Sequence, residues 1–463
     1  MIRLFRVFIP ASVVALLITE VLLVIACYVA ALYLLHFELQ VDPAFYLFDE
    51  NNYWKLGLLT GLIVLGLYFQ DLYASLRIRS RILLVQQVCL AVGCALLAAA
   101  FMGYIQPNIL MGRWLMMLGS LLVIIMLPLW RVFFWTYVLV GFRSERVLLL
   151  GNSSILGDVI ERLLHRPEFG YTVLGYLCED EPCDFPIVCL GRMRDVRSVC
   201  EEHRPTRIVV GMEERRNRMP YQDLLDIRFG GIVIEDVADT YEMAMQRVCT
   251  RKIQPSQLIF SSMLGPRRQA LALQKLYSWV LGITGLIVAS PLMLLTWIAV
   301  KATSPGPAFY RQRRVGMEGK VFTVYKFRSM YVDAEARTGA VWASKDDPRI
   351  TPLGRWLRKL RLDELPQFWN VVKSDMAIVG PRPERPEFVE MLAQQIPYYR
   401  QRLAVRPGIT GWAQINHKYG DTQLDAMIKL EYDLYYIKNL APALDFYIIF
   451  HTIKVMLLSR GAQ

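Results

Sequence analysis

Asp363 and Glu364 stand side by side in the run Leu362-Asp-Glu-Leu-Pro-Gln367, with Arg358 and Arg361 before them and a proline suited to a first helical turn after them. Adjacent acids on a polar surface merely solvate. Here the neighbours are apolar or cationic, and from Lys301 to Arg361 fourteen Lys or Arg stand against five Asp or Glu. The cations cluster as Arg311-Gln-Arg313-Arg314, Lys326-Phe-Arg328-Ser-Met330, and Arg355 with Arg358. Such groups suit oxygen-rich anions, each arginine offering phosphate a two-pronged fork. Beside them one carboxylate can attack phosphorus while its neighbour holds a divalent metal that screens the phosphates. Asp375, Asp421 and Asp425 lie nearby and read as structural. His417 is tempting as a general base, but an attacking phosphate is already ionised and needs none, so it reads as a loop histidine.

The segment just upstream must bring this chemistry to a membrane. Tyr277–Val300 is apolar throughout and long enough to cross, yet Ser290-Pro291 sits at its middle. Proline removes a backbone donor and disfavours helix at the residue before it, which predicts a break or kink there. Arg267, Arg268 and Lys275 precede the segment, and Lys301, Arg311, Arg313 and Arg314 follow it. With both flanks positive, both ends belong in the cytoplasm. A helix–break–helix that enters and leaves one leaflet satisfies that rule; a crossing does not.

Further toward the N-terminus lie four apolar stretches, roughly Ile9–Leu35, Leu56–Gln70, Ile82–Ile105 and Leu115–Val140. A span needs about 20 apolar residues, so the second is short. The first is too long for a signal peptide and is read as a span. Arg3 and Arg6 precede the first, and the loop His36–Tyr53 has no Lys or Arg but carries Glu38, Asp42, Asp49 and Glu50. Arg77, Arg79 and Arg81 follow the second span, Arg143 and Arg146 the fourth. This bias leaves both ends of a four-span bundle in the cytoplasm. Glu20, inside the first stretch, reads as lying near an end or against another helix.

From Glu145 short β-rich runs alternate with amphipathic ones, which predicts a parallel sheet with helices on its faces, a Rossmann-like module. The strands expected are Arg146–Leu150, Val173–Leu177, Arg207–Gly211 and Gly231–Val237, with helices at Ile155–His165, Asp195–His203, Tyr221–Phe229 and Thr240–Val248. The first turn runs Gly-Asn-Ser-Ser-Ile-Leu-Gly from Gly151 to Gly157. A dinucleotide fingerprint wants glycine where Ser153 and Leu156 stand, so a structural or regulatory role is favoured over nucleotide binding.

The domains are therefore residues 1–143 for the bundle, 144–255 for the α/β module, 256–276 for a linker and 277–463 for the re-entrant helix and α/β catalytic domain. Composition agrees. Of 463 residues 54% are hydrophobic and 20% charged, which excludes a disordered chain and points to lipid-embedded parts beside water-soluble ones. The net charge of +11 suits an anionic partner such as phosphorylated substrate or lipid headgroups. Eight cysteines without a CxxC pair read as reduced thiols rather than metal ligands.

Five motifs occur in one order: Tyr325-Lys-Phe-Arg-Ser-Met330, Asp347-Pro-Arg-Ile-Thr351, Leu362-Asp-Glu-Leu-Pro-Gln367, Val379-Gly-Pro-Arg-Pro383 and Arg406-Pro-Gly-Ile-Thr-Gly-Trp-Ala-Gln414. Together they resemble the bacterial sugar transferases, the monotopic polyprenol-phosphate phosphoglycosyl transferases. The broken apolar segment, bundle and α/β module resemble the long, exopolysaccharide-initiating branch. That resemblance implies a two-step exchange in which Asp363 takes a sugar phosphate from a UDP-sugar, expels UMP, and passes it to undecaprenyl phosphate. It further implies Mg²⁺ on Glu364 with Asp363, phosphate contacts from Arg358 and Arg382, and weaker ones from Lys326, Arg328 and Arg406. The setting implied is the cytoplasmic face of a bacterial inner membrane, at the first membrane step of exopolysaccharide, capsule or O-antigen synthesis. Membrane lipid is a partner, nucleic acid is not, and the architecture permits a homodimer. His417-Lys418 stands where the family often has Gly-Arg, which leaves sugar or nucleotide contacts there open. The sugar is unspecified, the long branch leaning to a plain hexose.

Two other functions compete. A membrane-tethered NAD(P)-dependent sugar-nucleotide oxidoreductase or epimerase would use the α/β module, but the fingerprint glycines and a Tyr-x-x-x-Lys pair are missing from it. A non-catalytic assembly scaffold gives no reason for an Asp-Glu pair amid phosphate-type cations. Phe446–Leu458, apolar with Lys454 and Arg460 nearby, fits either an interfacial helix or the domain's core.

Overall fold

The computed structural model describes every residue except 1, 5, 40–41, 50–51, 77, 79, 142–144, 180–182, 213–218, 253–264, 333, 335–346, 418–421 and 458–463. Glu50, Arg77, Arg79, Arg143, Lys418, Asp421, Leu458, Arg460 and residues 256–264 of the expected linker lie outside the described residues. The chain forms two compact units, Met1–Arg3 with Phe8–Thr240, and Leu4–Val7 with Tyr241–Gln463.

The first unit opens with helices α1 (Ala11–Leu39), α2 (Tyr53–Phe69), α3 (Arg81–Ile105) and α4 (Arg113–Phe133), the last continuing through a π-helical turn, Phe134–Val138. They pack around Val24, Tyr28, Ile63, Leu67, Val88, Val92, Val123 and Leu127, all buried. Among the described residues α1, α3, α4 and the later helix Arg268–Thr303 are long and apolar enough to cross a membrane, while α2 has 17 residues. Glu20 sits against α4 and is fully buried. Its Oε1 is 2.6 Å from Arg131 Nε, and its Oε2 accepts from Arg131 Nη2 at 2.9 Å and from the Tyr73 hydroxyl at 2.5 Å. In apolar surroundings each charge needs the other, which gives both a structural reason to be there. Arg131 is the partner that the sequence reading passed over.

The α/β module follows as β1 (Glu145–Leu150), α5 (Ser154–His165), β2 (Tyr171–Cys178), β3 (Cys189–Arg192), α6 (Val196–His203), β4 (Arg207–Val210), α7 (Tyr221–Phe229), β5 (Val233–Asp236) and α8 (Val237–Met245). Its sheet is wholly parallel in the order β3-β2-β1-β4-β5. The sequence reading lacked β3, whose four residues Cys-Leu-Gly-Arg are too few to show alternation. It also began α8 three residues late. Ser153 is buried after β1, and its N–H donates to the Gly211 carbonyl after β4 at 3.1 Å. That bond bridges the crevice between the ends of the two central strands, where nucleotides bind in sheets of this order.

The second unit is built on α9 (Arg268–Thr303), the hairpin β6 (Phe309–Val315) and β7 (Val321–Phe327), α10 (Pro352–Lys359), α11 (Gln367–Val372), β8 (Ala377–Val379), α12 (Pro386–Gln395), β9 (Gly408–Thr410), α13 (Trp412–Asn416), α14 (Gln423–Lys438) and α15 (Pro442–Leu457). Strands β6 and β7 pair antiparallel from Phe309↔Phe327 to Val315↔Val321, and β8 pairs β9 in parallel. The expected break at Ser290-Pro291 is not an interruption, because helix runs unbroken through both residues. Pro291 cannot donate to the Ile287 carbonyl, and the Ser290 hydroxyl donates to it instead at 2.7 Å. Near its start α9 is tied to the domain by Gln274, which donates to the Val379 carbonyl, the Tyr436 hydroxyl and Asp445 at 3.2, 2.6 and 3.1 Å. Near its end Val300 packs with Ala308 and Leu357. Between them Ile287, Val288, Leu294 and Leu295 are exposed. Helix α15 has both characters weighed for it: Leu444 and Ile448 are fully buried, while Phe446, Phe450 and Ile453 form an exposed apolar row.

Candidate active site

Strand β7 presents Lys326, and the chain leaving it presents Arg328 and Ser329. Helix α10 starts against that exit: Thr351 caps it, its hydroxyl accepting from Gly354 N at 2.9 Å. A Cβ on Gly354 would stand 1.9 Å from the Ser329 carbonyl oxygen, so only glycine allows the approach. One turn later Arg358 Nε donates to the Ser329 hydroxyl at 3.2 Å, and its two terminal nitrogens make no hydrogen bond among the described residues. The helix stops at Lys359, and Arg361, with a φ of 54°, turns the chain into a single 3-10 turn, Leu362–Glu364. That turn buries Asp363 and Glu364 to 7% and 8% exposure. Helix α11 follows, and Asn370 fastens it to β7 by donating to the Thr323 carbonyl at 2.7 Å and accepting from Tyr325 N at 3.1 Å.

Both carboxylates line a cavity of about 470 Å³ together with Lys326, Arg328, Arg358, Arg361 and Arg382. Glu364 Oε1 accepts from Lys326 Nζ at 2.9 Å and Arg382 Nη2 at 3.0 Å, and its Oε2 is 3.5 Å from Arg361 Nη1. Burial pushes Asp363 up to about 6, and the charge of Glu364 adds to that against the pull of Lys326, Arg358 and Arg382. Burial would raise Glu364 as well, but Lys326, Arg382 and Arg361 outweigh it and hold its carboxyl well below the usual range. Two neighbouring acids thus differ in basicity. Asp363 is the more basic of the two.

The other expected residues divide. Arg328 reaches the cavity, but its Nη1 donates to the Pro305 carbonyl and its Nη2 to the Ser304 carbonyl, each at 2.8 Å, so it anchors the end of α9. Arg406 is not among the residues lining the cavity, and its Nε donates to the Ser374 carbonyl at 3.2 Å. His417 pairs with Asp425 at 3.0 Å, and Asp425 closes the capping box of α14. Asp347 receives the guanidinium of Arg349 on both oxygens, Nε at 2.8 Å to Oδ1 and Nη2 at 2.6 Å to Oδ2, which makes that motif a turn clamp. Sequence reasoning missed Tyr399, Arg402 and Asp433, which also line the cavity. Asp433 stands 31 positions from Arg402, and nothing local joins them.

No group of three His, Cys, Asp or Glu among the described residues could hold a metal by itself. Mg²⁺ takes one or two carboxylates and completes its shell with substrate phosphate and water, a donor set that the Asp363–Glu364 pair fits.

A cavity with paired carboxylates ringed by phosphate-type cations suits group transfer on phosphates. Residues 269–459 match the family model for the bacterial sugar transferases. The chain is 32% identical over 328 residues to UDP-glucose:undecaprenyl-phosphate glucose-1-phosphate transferase of Escherichia coli (strain K12), covering 70% of each protein. It is 30% identical over 417 residues to the Xanthomonas campestris pv. campestris protein of the same name, covering 88% of this chain and 82% of that one. Over 174 residues it is 49% identical to UDP-N-acetylgalactosamine-undecaprenyl-phosphate N-acetylgalactosaminephosphotransferase of Aeromonas hydrophila, covering 38% of this chain and 41% of that protein. The chain belongs to the bacterial sugar transferase family, whose members are sugar-phosphate transferases.

Proposed function

We propose that this chain transfers a sugar-1-phosphate from a UDP-sugar to undecaprenyl phosphate, releasing UMP, as the first membrane step of a surface polysaccharide. The observation that carries the reading is Asp363, a buried carboxylate of raised basicity facing a cavity in which Lys326, Arg358 and Arg382 supply positive charge. An Asp363 oxygen attacks the sugar-bearing phosphorus, and the bond from that phosphorus to the UMP oxygen breaks. The enzyme is left with an acyl phosphate carrying the sugar. A phosphate oxygen of undecaprenyl phosphate then attacks the same phosphorus, and the bond to Asp363 breaks, restoring the carboxylate. Lys326, Arg358 and Arg382 spread the charge of both displacements, since positioning and neutralisation are the main demands of phosphoryl transfer. Glu364 orients Lys326 and Arg382 through its two hydrogen bonds. Mg²⁺ held by Glu364 and Asp363 would screen the diphosphate when bound.

The helices support a membrane setting for this reaction. Both ends of α9 pack on the same domain and its exposed apolar middle does not, which supports entry and exit through one leaflet. With α1–α4 as spans and the positive flanks inward, the catalytic domain lies on the cytoplasmic face of the inner membrane, where UDP-sugars are. We read the parallel sheet of the first unit as Rossmann-like in order. The bridged crevice at Ser153 and Gly211 disfavours an NAD(P)-dependent activity there.

The test is UMP release from UDP-glucose, UDP-galactose, UDP-N-acetylglucosamine and UDP-N-acetylgalactosamine by purified protein with undecaprenyl phosphate. Aminosugars belong in the panel because a relative 49% identical over 174 residues is named for one. One donor or a small subset should release UMP, and a chelator should stop it. Release from none of the four would refute the proposal.

Gly354→Ala tests how α10 carries Arg358. The added methyl must displace the helix from the Ser329 carbonyl, moving Arg358 with it, and a shift near 1 Å costs turnover on the order of 100-fold. UMP release and thermal unfolding of the purified variant would check this, and unchanged turnover would show that Arg358 needs no such placement.

A further inference from the structure

Arg402 lines the cavity although it is almost fully buried, and its guanidinium is engaged on every side. Nε and Nη2 grip Asp433 Oδ2 at 3.0 and 2.8 Å, and Nη1 donates to the Tyr399 hydroxyl at 2.7 Å. Nη2 donates also to the backbone carbonyl of Arg382 at 3.0 Å. Arg382 in turn sends its own Nη2 to Glu364 at 3.0 Å. It stands in the irregular turn between β8 and α12. A charged donor on its carbonyl fixes that peptide plane.

We infer that Arg402, clamped by Asp433 and Tyr399, is a positioning residue that aims the Arg382 guanidinium at Glu364 and into the cavity. This rests on the reading of Arg382 as a phosphate-binding cation. The choice of arginine has a reason: a planar fork reaches three acceptors fanned around it, whereas the lysine ammonium is a single point at the end of a flexible stem. Asp433 keeps the buried charge neutralised, so the clamp persists without solvent.

The test is a double-mutant cycle on the full-length protein in lipid nanodiscs, with the UDP-sugar from the four-donor panel that turns over and undecaprenyl phosphate. Arg402→Lys keeps the ion pair with Asp433 but loses the fan of bonds. It should lower kcat/KM on the order of tenfold, with the same division between kcat and KM as Arg382→Lys. In the Arg382→Lys background the same change should cost less than about twofold, because its effect passes through Arg382. A full, additive loss in that background would overturn the inference while leaving Arg382 in its role. Wild-type turnover in Arg382→Lys alone would overturn the reading beneath it, and the inference with it. Should Arg402→Lys not fold, Tyr399→Phe goes through the same cycle. It removes one partner of the clamp and should give a smaller loss, again absent from the Arg382→Lys background; an additive loss would count against the inference as before.

Discussion

Asp363→Asn is expected to abolish turnover, by about four orders of magnitude or more, because an amide cannot attack phosphorus and no neighbour can take its place. Glu364 is the nearest candidate, but three cations hold it and keep its basicity low. The substitution is nearly isosteric, so the fold should survive and unfolding should change little. Mass spectrometry of wild-type protein quenched with donor alone should show a sugar phosphate on the peptide containing residue 363, absent from the variant. Wild-type UMP release by Asp363→Asn would remove the nucleophile from the scheme. Turnover that stops while the adduct persists elsewhere would move it to another residue.

How much of this was legible in the chain follows from how far each contact reaches. The pair at positions 363 and 364 and the cations within about forty residues of it are readable because composition itself is unusual there. The four helices of the bundle are equally plain, since apolar length is a local property. What sequence could not give is pairing across distance. Glu20 and Arg131 are 111 residues apart and each looks anomalous alone; only packing shows that each answers the other. Arg402 and Arg406 are four residues apart with the same side chain, yet one lines the cavity and the other caps a carbonyl outside it. The difference is made by Asp433 on a later helix. Arg328 carries the reverse lesson, since its motif sets it among phosphate ligands while the carbonyls of Ser304 and Pro305 claim its guanidinium. At Pro291, where a break or kink is expected, helical structure continues, and the serine one position earlier donates to the carbonyl that proline cannot serve.

Glu364→Gln should lower turnover by two to three orders of magnitude, about 100- to 1,000-fold, and should also move the acid limb of what remains. In the proposed mechanism that limb belongs to Asp363, which must be a carboxylate to attack. Burial and the adjacent Glu364 charge bring its value up to about 6, so kcat/KM, which reports free enzyme, should fall as pH drops through about 6. Neutralising residue 364 takes away one of the two causes of that elevation. Lys326, Arg358 and Arg382 remain and now act on Asp363 without a competing anion, so its carboxyl becomes harder to protonate. The acid limb should therefore shift to lower pH even as the plateau drops. A variant that was merely misfolded would lose rate at every pH with the limb in place. A limb that moved upward would mean that the cations, released from Glu364, had turned away from Asp363, and that the carboxylate at 364 had held them in the cavity rather than shared them.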